Sequence, residues 1–361
     1  MKPVILHFIY NLERGGAEVL LYNTITQLSE YENIVVTLDN KCEFDEIKDN
    51  FKVLNLNCPS SLTIPLAILK FRKLLNQFKP DLVHAHLPLP CIISRLSTPK
   101  SIPLINSLHT TPSQSLAYRT WNISFLEKKS FHWRDFLFLA VSKSALSDYK
   151  RVFHKSTTNG QVLYPSTNDS RLKPMIKKEC FDTLRMVAVG KIKKSKNFRF
   201  LLNALSEMNN PLIALDIYGE GKIPVEMEEI AIKKLPIEFK GQVTNIEKLL
   251  GNYDIFISAS EFEGFSVSVL EAMSAGLCLV LSDIPSFREQ CGNTALYFSI
   301  NSTSDLKEQL NKLINHREII TQKSLSSRNR FSKNYSNCIY IDSIRKIYSS
   351  QILYNKKLDF K

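Results

Sequence analysis

Two acidic residues separated by seven positions, Glu263 and Glu271, are the clearest candidates for chemistry in this chain. Ionised carboxylates accept hydrogen bonds, so a pair of them suits a ligand that carries several hydroxyl groups. The backbone N–H groups of Ser266 and Val267 open a predicted helix, and the beginning of a helix favours phosphate. A nucleotide sugar has this chemistry, although a solvated loop glutamate and a helix-surface glutamate fit the two acids alone equally well.

A second candidate cluster consists of lysines in the sequence GKIKKSKN, residues 190–197. Lys191 and Lys196 are predicted to lie in a loop between a strand and a helix, where two ammonium groups can converge on a diphosphate. Lysine keeps the positive charge but lacks the planar fork with which arginine binds phosphate. Without the neighbouring acids, a solvated cluster of surface lysines would be the favoured interpretation.

The elements that must position these groups show the alternation of a parallel α/β sheet. Residues 254–258 and 278–282 are short apolar runs, the segment 260–266 is polar with one glycine, and residues 267–275 have helical spacing. Ligands of such βαβ units bind at the carboxyl ends of the strands. The loop over residues 260–266 is therefore predicted to face a ligand.

The first half of the chain begins with the same arrangement. A predicted strand over residues 3–10 leads through Gly15 and Gly16 into an amphipathic helix. Glycines allow the backbone to approach a phosphate closely, and the helix behind them favours negative charge. A tight strand–helix turn without a ligand is the alternative for an isolated glycine pair.

Three histidines of this half, His84, His86 and His109, are candidates for chemistry. His84 and His86 share one face of the strand over residues 81–86, and no acid or third imidazole is near them in sequence. We therefore expect polar strand-end residues here and no metal site. His109 follows the strand over residues 102–108, where it suits contact with a substrate hydroxyl, acid–base chemistry or a structural role.

The run EGFSVSVLEAMSAGLCLVLSD, which begins at Glu263, resembles the E-x7-E signature of retaining GT-B glycosyltransferases of family 4, also called glycosyl transferases group 1. The usual form is EGF(G/S)-x-x-x-LEAM-A-G-x-P-V-V, and Cys278 stands where proline is usual. The resemblance implies that Glu263 holds donor-sugar hydroxyls and Glu271 the ribose. It also places Phe265, together with the amides that open the helix, among the donor-binding residues.

Shorter segments resemble other motifs of the same family. GGAE in the first βα loop resembles the family's diphosphate loop. GKIKKSKN resembles the family motif G-R-L-x-x-x-K-N/G, with lysine in place of arginine. In the family, a histidine after the fifth strand lines the donor-sugar pocket, and His109 stands at the matching place. The positions that these resemblances assign to donor binding or catalysis are Gly15, Gly16, His109, Gly190, Lys191, Lys196, Gly219 and Gly241.

The resemblance implies an α/β fold of GT-B type, with two Rossmann-like domains facing across a cleft. Residues 1–168 would form the acceptor domain and residues 169–335 the nucleotide-sugar domain, joined by a linker within residues 161–179. A helix over about residues 336–361 would cross back to the first domain. Transfer would proceed on the front face, with the leaving phosphate helping to deprotonate the acceptor and without metal or other cofactor.

Composition agrees with a globular protein of two domains. The 361 residues are enough for two cores, and 44% of them are hydrophobic. The opening MKPVILHFIY is predicted to be a buried strand and not a secretory signal, and no apolar run reaches the roughly eighteen residues of a membrane span. Seven scattered cysteines without a CxxC pair are predicted to be reduced cytosolic residues.

The net charge of +12 suits an anionic partner. The lysines are spread along the chain without an arginine-rich tail or zinc-finger spacing, which disfavours nucleic acid. Predicted helices over residues 64–78 and 116–134 place basic residues beside apolar ones, which suits an anionic membrane surface. We expect a cytoplasmic protein, peripheral on the inner face of the cell membrane; charges that only keep the protein in solution are the alternative.

The expected activity is therefore transfer of a sugar from a nucleotide-diphosphate sugar, with a UDP-sugar as the expected donor. The expected acceptor is a lipid-linked glycan in cell-surface polysaccharide synthesis, such as capsule, O-antigen or exopolysaccharide. A soluble acceptor is one alternative. A two-domain module that binds a nucleotide without turnover is the other.

Overall fold

The computed structural model describes residues 2–13, 15–154, 160–167, 183–234, 236–243 and 245–358. The chain divides into two compact units, residues 1–165 with 338–361 and residues 166–337. The predicted boundary at residues 168–169 and most of the predicted linker lie outside the described residues. The linker does not begin at residue 161, because Gly160–Val162 pairs with the neighbouring strand as the edge of the first sheet.

The first unit is built on a seven-stranded parallel sheet in the order β3-β2-β1-β4-β5-β6-β7. Its strands are near-continuous apolar runs, as expected where helices cover both faces of a parallel sheet. They span Val4–Ile9 (β1), Glu32–Thr37 (β2), Lys52–Asn55 (β3), Leu82–His86 (β4), Leu104–Leu108 (β5), Leu137–Ala140 (β6) and Gly160–Val162 (β7).

Helices of the first unit connect these strands. They span Gly16–Gln27 (α1), Asp45–Asn50 (α2), Ile64–Phe78 (α3), Pro88–Ser97 (α4), Leu116–Arg119 (α5), Trp121–Ser130 (α6) and Lys143–Phe153 (α7). The single helix predicted over residues 116–134 was wrong, because Thr120 has an extended backbone (φ −70°, ψ 126°). Its hydroxyl donates to the carbonyl oxygen of Ala117 at 2.8 Å, which competes with the helical hydrogen-bond ladder.

The second unit has a six-stranded parallel sheet in the order β10-β9-β8-β11-β12-β13. The strands span Leu184–Val189 (β8), Ile213–Tyr218 (β9), Ile237–Gly241 (β10), Ile255–Ser258 (β11), Cys278–Ser282 (β12) and Ala295–Phe298 (β13). The helices span Phe198–Met208 (α8), Val225–Lys234 (α9), Glu247–Leu250 (α10), Val267–Ser274 (α11), Pro285–Cys291 (α12), Thr303–Asn315 (α13) and Glu318–Asn334 (α14).

The last helix, α15 at Asn337–Leu358, belongs to the first unit, as predicted. Its apolar positions recur at helical spacing, and Ile341, Ile344 and Tyr348 are buried in one core with residues of the sheet. The Tyr340 hydroxyl lies 3.0 Å from that of Thr24 on α1. None of the helices that the structure describes combines the length and the apolar run needed to span a bilayer.

Two arginines of the first unit are structural. Arg95 on α4 is completely buried and forms two hydrogen bonds with the Glu127 carboxylate on α6. Arg134, predicted to be a surface cation, is buried and donates to the carbonyl oxygens of Thr98, Pro99 and Ile102 at 2.7 Å each. These three hydrogen bonds tie the Arg134 side chain to the segment that joins α4 to β5.

Candidate functional site

Loops after β8 and β9 meet at the carboxyl edge of the second sheet. The Gly190 N–H donates to the Tyr218 carbonyl at 2.9 Å, and the Ile192 N–H donates to the Glu220 carbonyl at 2.7 Å. A Cβ on Gly219 would lie 1.9 Å from the Gly190 carbonyl oxygen, so a side chain there would separate the loops. Gly219, a predicted donor-binding position, therefore makes this close approach possible. A Cβ on Gly190, the other predicted position of these loops, would lie 3.0 Å from the Lys196 side chain.

Lys196, in the loop after β8, meets Glu263, in the loop after β11. The Lys196 ammonium lies 2.5 Å from Glu263 Oε1, and the two side chains are only 15% and 16% exposed. The Ser260 hydroxyl donates to the same carboxylate oxygen at 2.9 Å, and the Glu261 N–H donates to the Ser195 carbonyl at 2.9 Å. A predicted cation and a predicted hydroxyl acceptor thus form one hydrogen-bonded group on two joined loops.

Lys191 does not join this pair. Its ammonium lies 3.3 Å from a Glu220 carboxylate oxygen, and both side chains are about half exposed. Lys193 lies on the same loop, although the motif does not single it out. Partial burial lowers the pKa of Lys193, and the charges of Lys196 and Lys191 lower it further, whereas the charge of Glu263 raises it. Residues 190–197 therefore concentrate four lysines, of which Lys196 pairs with Glu263.

We predict that Lys191→Arg leaves transfer within about twofold of the wild-type rate, because an exposed lysine paired with Glu220 contributes little and arginine keeps the charge. Calorimetric titration with UDP should give an equal or higher affinity. An affinity lowered tenfold or more would show that the lysine geometry itself is required.

The beginning of α11 differs from the prediction at one amide. The Ser266 N–H, expected to face an anion, donates to the side-chain oxygen of Gln290 at 3.2 Å, and the Gln290 amide donates back to the Ser266 carbonyl at 2.9 Å. Gln290, on α12, is completely buried. The Ser266 hydroxyl caps the helix by accepting from the Val269 N–H. The Val267 amide belongs to the first turn, whose N–H groups have no partner within a helix.

Other predicted donor-binding positions of this unit have different surroundings. Phe265 is buried and packs edge-on against Tyr335, with ring centroids 5.5 Å apart, so its ring supports the loop from the core side. Gly241 ends β10 with a φ of +70°, a conformation that favours glycine, and its carbonyl accepts from the Gly219 N–H at 2.9 Å.

Glu271 lies on α11, one turn after the cap. Burial of its carboxyl group and the negative charge of Glu247 raise the pKa of Glu271 to about 8. A carboxyl group kept in an unfavourable environment is typical of functional sites, where a ligand can provide the missing hydrogen bonds. This position therefore suits a hydroxyl-bearing ligand.

We predict that Glu271→Gln becomes increasingly stable relative to wild type as the pH rises from 5 to 9. The folded-state pKa is raised from its ordinary value of 4.5 to about 8, so the folded protein binds the proton more tightly and loses stability as that proton dissociates. Glutamine does not titrate. Measured by urea unfolding, the difference in unfolding free energy should grow by about 4 kcal/mol between pH 5 and pH 9, because each unit of pKa difference corresponds to about 1.4 kcal/mol. The exposed Glu261→Gln variant is the control. A pH-independent difference would contradict the raised pKa.

In the first unit, Gly15 is the N-cap of α1, as a phosphate loop requires, but Glu18 occupies the adjacent space. A Cβ on Gly15 would lie 2.4 Å from Glu18 Oε2. A carboxylate thus lies at the helix N-terminus, where negative charge is favoured. Binding of phosphate at Gly15 and Gly16 stays a prediction, and it requires the Glu18 side chain to move.

Four imidazoles meet inside the first unit. His86 Nδ1 lies 3.1 Å from His109 Nε2, and the ring nitrogens of His84 lie 2.6 Å from the Tyr348 hydroxyl and 2.7 Å from that of Ser107. No third imidazole is near His84 and His86 in the sequence, but the pairing of β1 with β4 places His7 opposite His84 in the folded protein.

One ring nitrogen from each of His7, His84 and His86 lies within 4.8 Å of the other two. Both ring nitrogens of His84 lie within hydrogen-bond distance of hydroxyls, so metal binding by these three rings would require His84 to give up one of those contacts. Burial lowers the pKa of His7 and of His109 to about 4, so these imidazoles are neutral at physiological pH. His109 therefore suits neutral hydrogen bonding to a hydroxyl. The cavity beside the rings, of about 20 Å³, has room for one water molecule.

Two parallel α/β units of this kind, with glycine loops, a lysine and acids at a sheet's carboxyl edge, define the GT-B class of glycosyltransferases. The model described as Glycosyltransferase Family 4 matches residues 14–171, and that described as Glycosyl transferases group 1 matches residues 183–316. The chain belongs to the group 1, family 4 glycosyltransferases and has the activity of a glycosyltransferase.

Relatives and solved structures agree with this assignment. An N-acetylgalactosaminyltransferase of Campylobacter jejuni that acts on N-acetylgalactosamine-N,N'-diacetylbacillosaminyl-diphospho-undecaprenol is 28% identical over 298 residues, 76% of this chain and 80% of that protein. The putative glycosyltransferase EpsF of Bacillus subtilis is 23% identical over 77% of this chain and 79% of its own length. The Anabaena HepE structure with UDP and glucose matches with a TM-score of 0.82 at 16% identity, covering 96% of this chain and 99% of HepE.

Proposed function

We propose that this enzyme transfers a sugar from a UDP-sugar to a lipid-linked glycan, with retention of configuration at the anomeric carbon. The observation that carries the proposal is the site at the carboxyl edge of the second sheet, where Lys196 pairs with Glu263 and where Glu271 lies on the helix that follows the same loop. It offers one cation for a diphosphate and two acids for sugar and ribose hydroxyls. The UDP and glucose bound to HepE support this donor class.

Lys196 would stabilise the leaving diphosphate, where negative charge grows in the transition state. The first-turn amide of Val267 would add the positive end of a helix. In this mechanism the bond between the anomeric carbon and the diphosphate oxygen breaks, and the acceptor oxygen bonds to the same face of that carbon. The acceptor proton passes to the leaving phosphate. Because side chains supply the positive charge, we propose that transfer proceeds without a metal ion.

The acceptor proposal is supported by the Campylobacter relative, whose substrate is a saccharide on diphospho-undecaprenol. An O-antigen chain mannosyltransferase of Escherichia coli, 28% identical over 162 residues, points to the same kind of process. We place the enzyme on the cytoplasmic face of the membrane, in the synthesis of a cell-surface polysaccharide. The chain's net charge of +12 suits an anionic surface.

The test is a panel of UDP-, GDP- and ADP-sugars offered to the purified protein with a pool of lipid-linked acceptors. Mass spectrometry should find one lipid-linked species that gains one glycosyl unit from a UDP-sugar. Products on water-soluble acceptors alone would contradict the lipid-linked proposal. Saturable UDP binding without product from any donor would instead indicate a nucleotide-binding module.

A further inference from the structure

We propose that the first unit inserts an apolar face into an anionic lipid bilayer. This face consists of Leu62, Leu66, Leu69, Trp121 and Phe125, and it is called the apolar face below. Seven of the ten large exposed apolar side chains that the structure describes in the first unit lie between β3 and β6, and five of those seven form this face. The proposal rests on the proposed function in one respect, because a lipid-linked acceptor brings the enzyme to a membrane.

The apolar face is continuous across two helices. Leu62, in the turn before α3, is 90% exposed, and Trp121, the first residue of α6, is 80% exposed. Their chain neighbours Ser61 and Asn122 are joined by a side-chain hydrogen bond of 2.5 Å, so the two helix beginnings lie side by side. The Trp121 and Phe125 rings stack with centroids 5.6 Å apart. Contiguous exposed apolar side chains of this kind mark an interaction surface.

The charges around the apolar face indicate an anionic partner. Residues 52–136, from β3 to the residue before β6, contain eleven lysines and arginines and three acids, and nine of the cations remain when the buried Arg95 and Arg134 are set aside. Two of those acids are used inside the unit, since Asp81 accepts from the Val4 N–H and Glu127 pairs with buried Arg95. The third, Asp135, precedes β6 at the opposite sheet edge.

The exposed cations lie close to the apolar side chains. Lys73 follows Leu69 by one helical turn, and Lys128 and Lys129 follow Phe125 on α6. The Lys129 ammonium lies 5.8 Å from the centre of the Phe125 ring. Leucines and aromatic rings with lysines beside them suit insertion at the boundary between acyl chains and anionic headgroups. A nucleic acid would match the cations but would leave the leucines in water.

The apolar face also lies at the carboxyl edge of the first unit's sheet. The turn that carries Leu62 follows β3, and the segment leading to Trp121 follows β5, so both begin at the carboxyl edge of the sheet. His109 emerges from β5 at the same edge. Insertion here would hold that edge at the membrane surface, where the headgroup end of a lipid-linked acceptor lies.

The two tryptophans of the chain, Trp121 and Trp133, make this surface directly observable. A Trp133→Phe protein retains Trp121 as its single tryptophan. Vesicles with phosphatidylglycerol should shift its emission to shorter wavelength, and brominated acyl chains should quench it. Salt should weaken binding without abolishing it, because the apolar contribution is not screened. Unchanged Trp121 emission in the presence of saturating vesicles would overturn the proposal.

Leu69→Glu tests the apolar contribution, with Leu325→Glu on α14 as the matched control, since the two leucines are 64% and 63% exposed. We expect vesicle partitioning of Leu69→Glu to fall by about tenfold or more and that of Leu325→Glu to stay unchanged. Equal partitioning of both variants would overturn the proposal. So would self-association of the protein through this face without vesicle binding.

The same preparations separate this inference from the proposed function. Transfer from a UDP-sugar in detergent, without vesicle binding by the wild type, would overturn the apolar face and leave the function standing. Vesicle binding that depends on Leu69, without turnover of any nucleotide sugar, would overturn the function and leave the apolar face standing.

Discussion

Replacing Glu263 by glutamine should lower kcat/KM for transfer by about ten- to one-hundred-fold. The substitution removes the charge that lies 2.5 Å from the Lys196 ammonium, and it leaves that ammonium mostly buried without an ionised partner. Loss of a hydrogen bond between charged groups costs about 1.5–3 kcal/mol in such surroundings. Because the glutamate is also the proposed acceptor for sugar hydroxyls, the loss should appear in kcat as well as in KM.

A double-mutant cycle with Lys196→Ala measures how far the two residues act together. Their effects on UDP affinity, measured by calorimetry, should be clearly non-additive, because each residue holds the other in place. Glu261→Gln is the matched control, since Glu261 is an exposed carboxylate two positions away. Wild-type kinetics of Glu263→Gln, or additive effects in the cycle, would show that the pair has no part in donor binding.

Replacing Glu127 by alanine should destabilise the first unit by about 3–5 kcal/mol, because it leaves a buried guanidinium without its counter-ion. Arg95 and Glu127 are 0% and 1% exposed, and the Glu127 carboxylate also accepts a hydrogen bond from the Tyr149 hydroxyl. Three helices, α4, α6 and α7, are connected by this group. Urea unfolding followed by circular dichroism measures the loss.

The control for this effect is Asp283→Asn, which breaks the exposed ion pair with Arg288. Solvent screens that pair, so its loss should cost at most about 1 kcal/mol. Equal losses of unfolding free energy in both variants would contradict the expectation that the buried Arg95–Glu127 pair matters more for stability than an exposed pair.

Much of the fold was predictable from the sequence, because buried parallel strands are near-continuous apolar runs that stand out from helices of 3.6-residue period. The strand predicted over residues 254–258 corresponds to β11, and the helix predicted over residues 267–275 corresponds to α11. The loop predicted between them is the one that contacts Lys196. The start of α13 follows the same kind of local rule, since Ser302, a residue type preferred at helix N-caps, accepts a hydrogen bond from the Asp305 N–H through its hydroxyl. These features depend on neighbours in sequence.

Contacts between distant segments were not predictable in this way. Gln290 holds the Ser266 backbone from another helix, and no spacing in the sequence links the two residues. His7 joins the other imidazoles only because β1 and β4 are neighbours in the sheet. Thr120 interrupts a segment whose composition favours one helix throughout, and Arg134 turns inward although its neighbours are exposed. Contacts between distant segments act on Ser266, His7 and Arg134, whereas at Thr120 a local hydrogen bond to Ala117 competes with the helix.

The most direct test of the central claim is proton NMR of the reaction of purified wild-type enzyme with a UDP-α-sugar and the lipid-linked acceptor. The proposed donor site and front-face mechanism predict that UDP is released and that the first-formed product carries an α-glycosidic anomeric signal. A β-linked first product would contradict retention. UDP binding without release of a transferred sugar would contradict the catalytic assignment of Lys196 and Glu263.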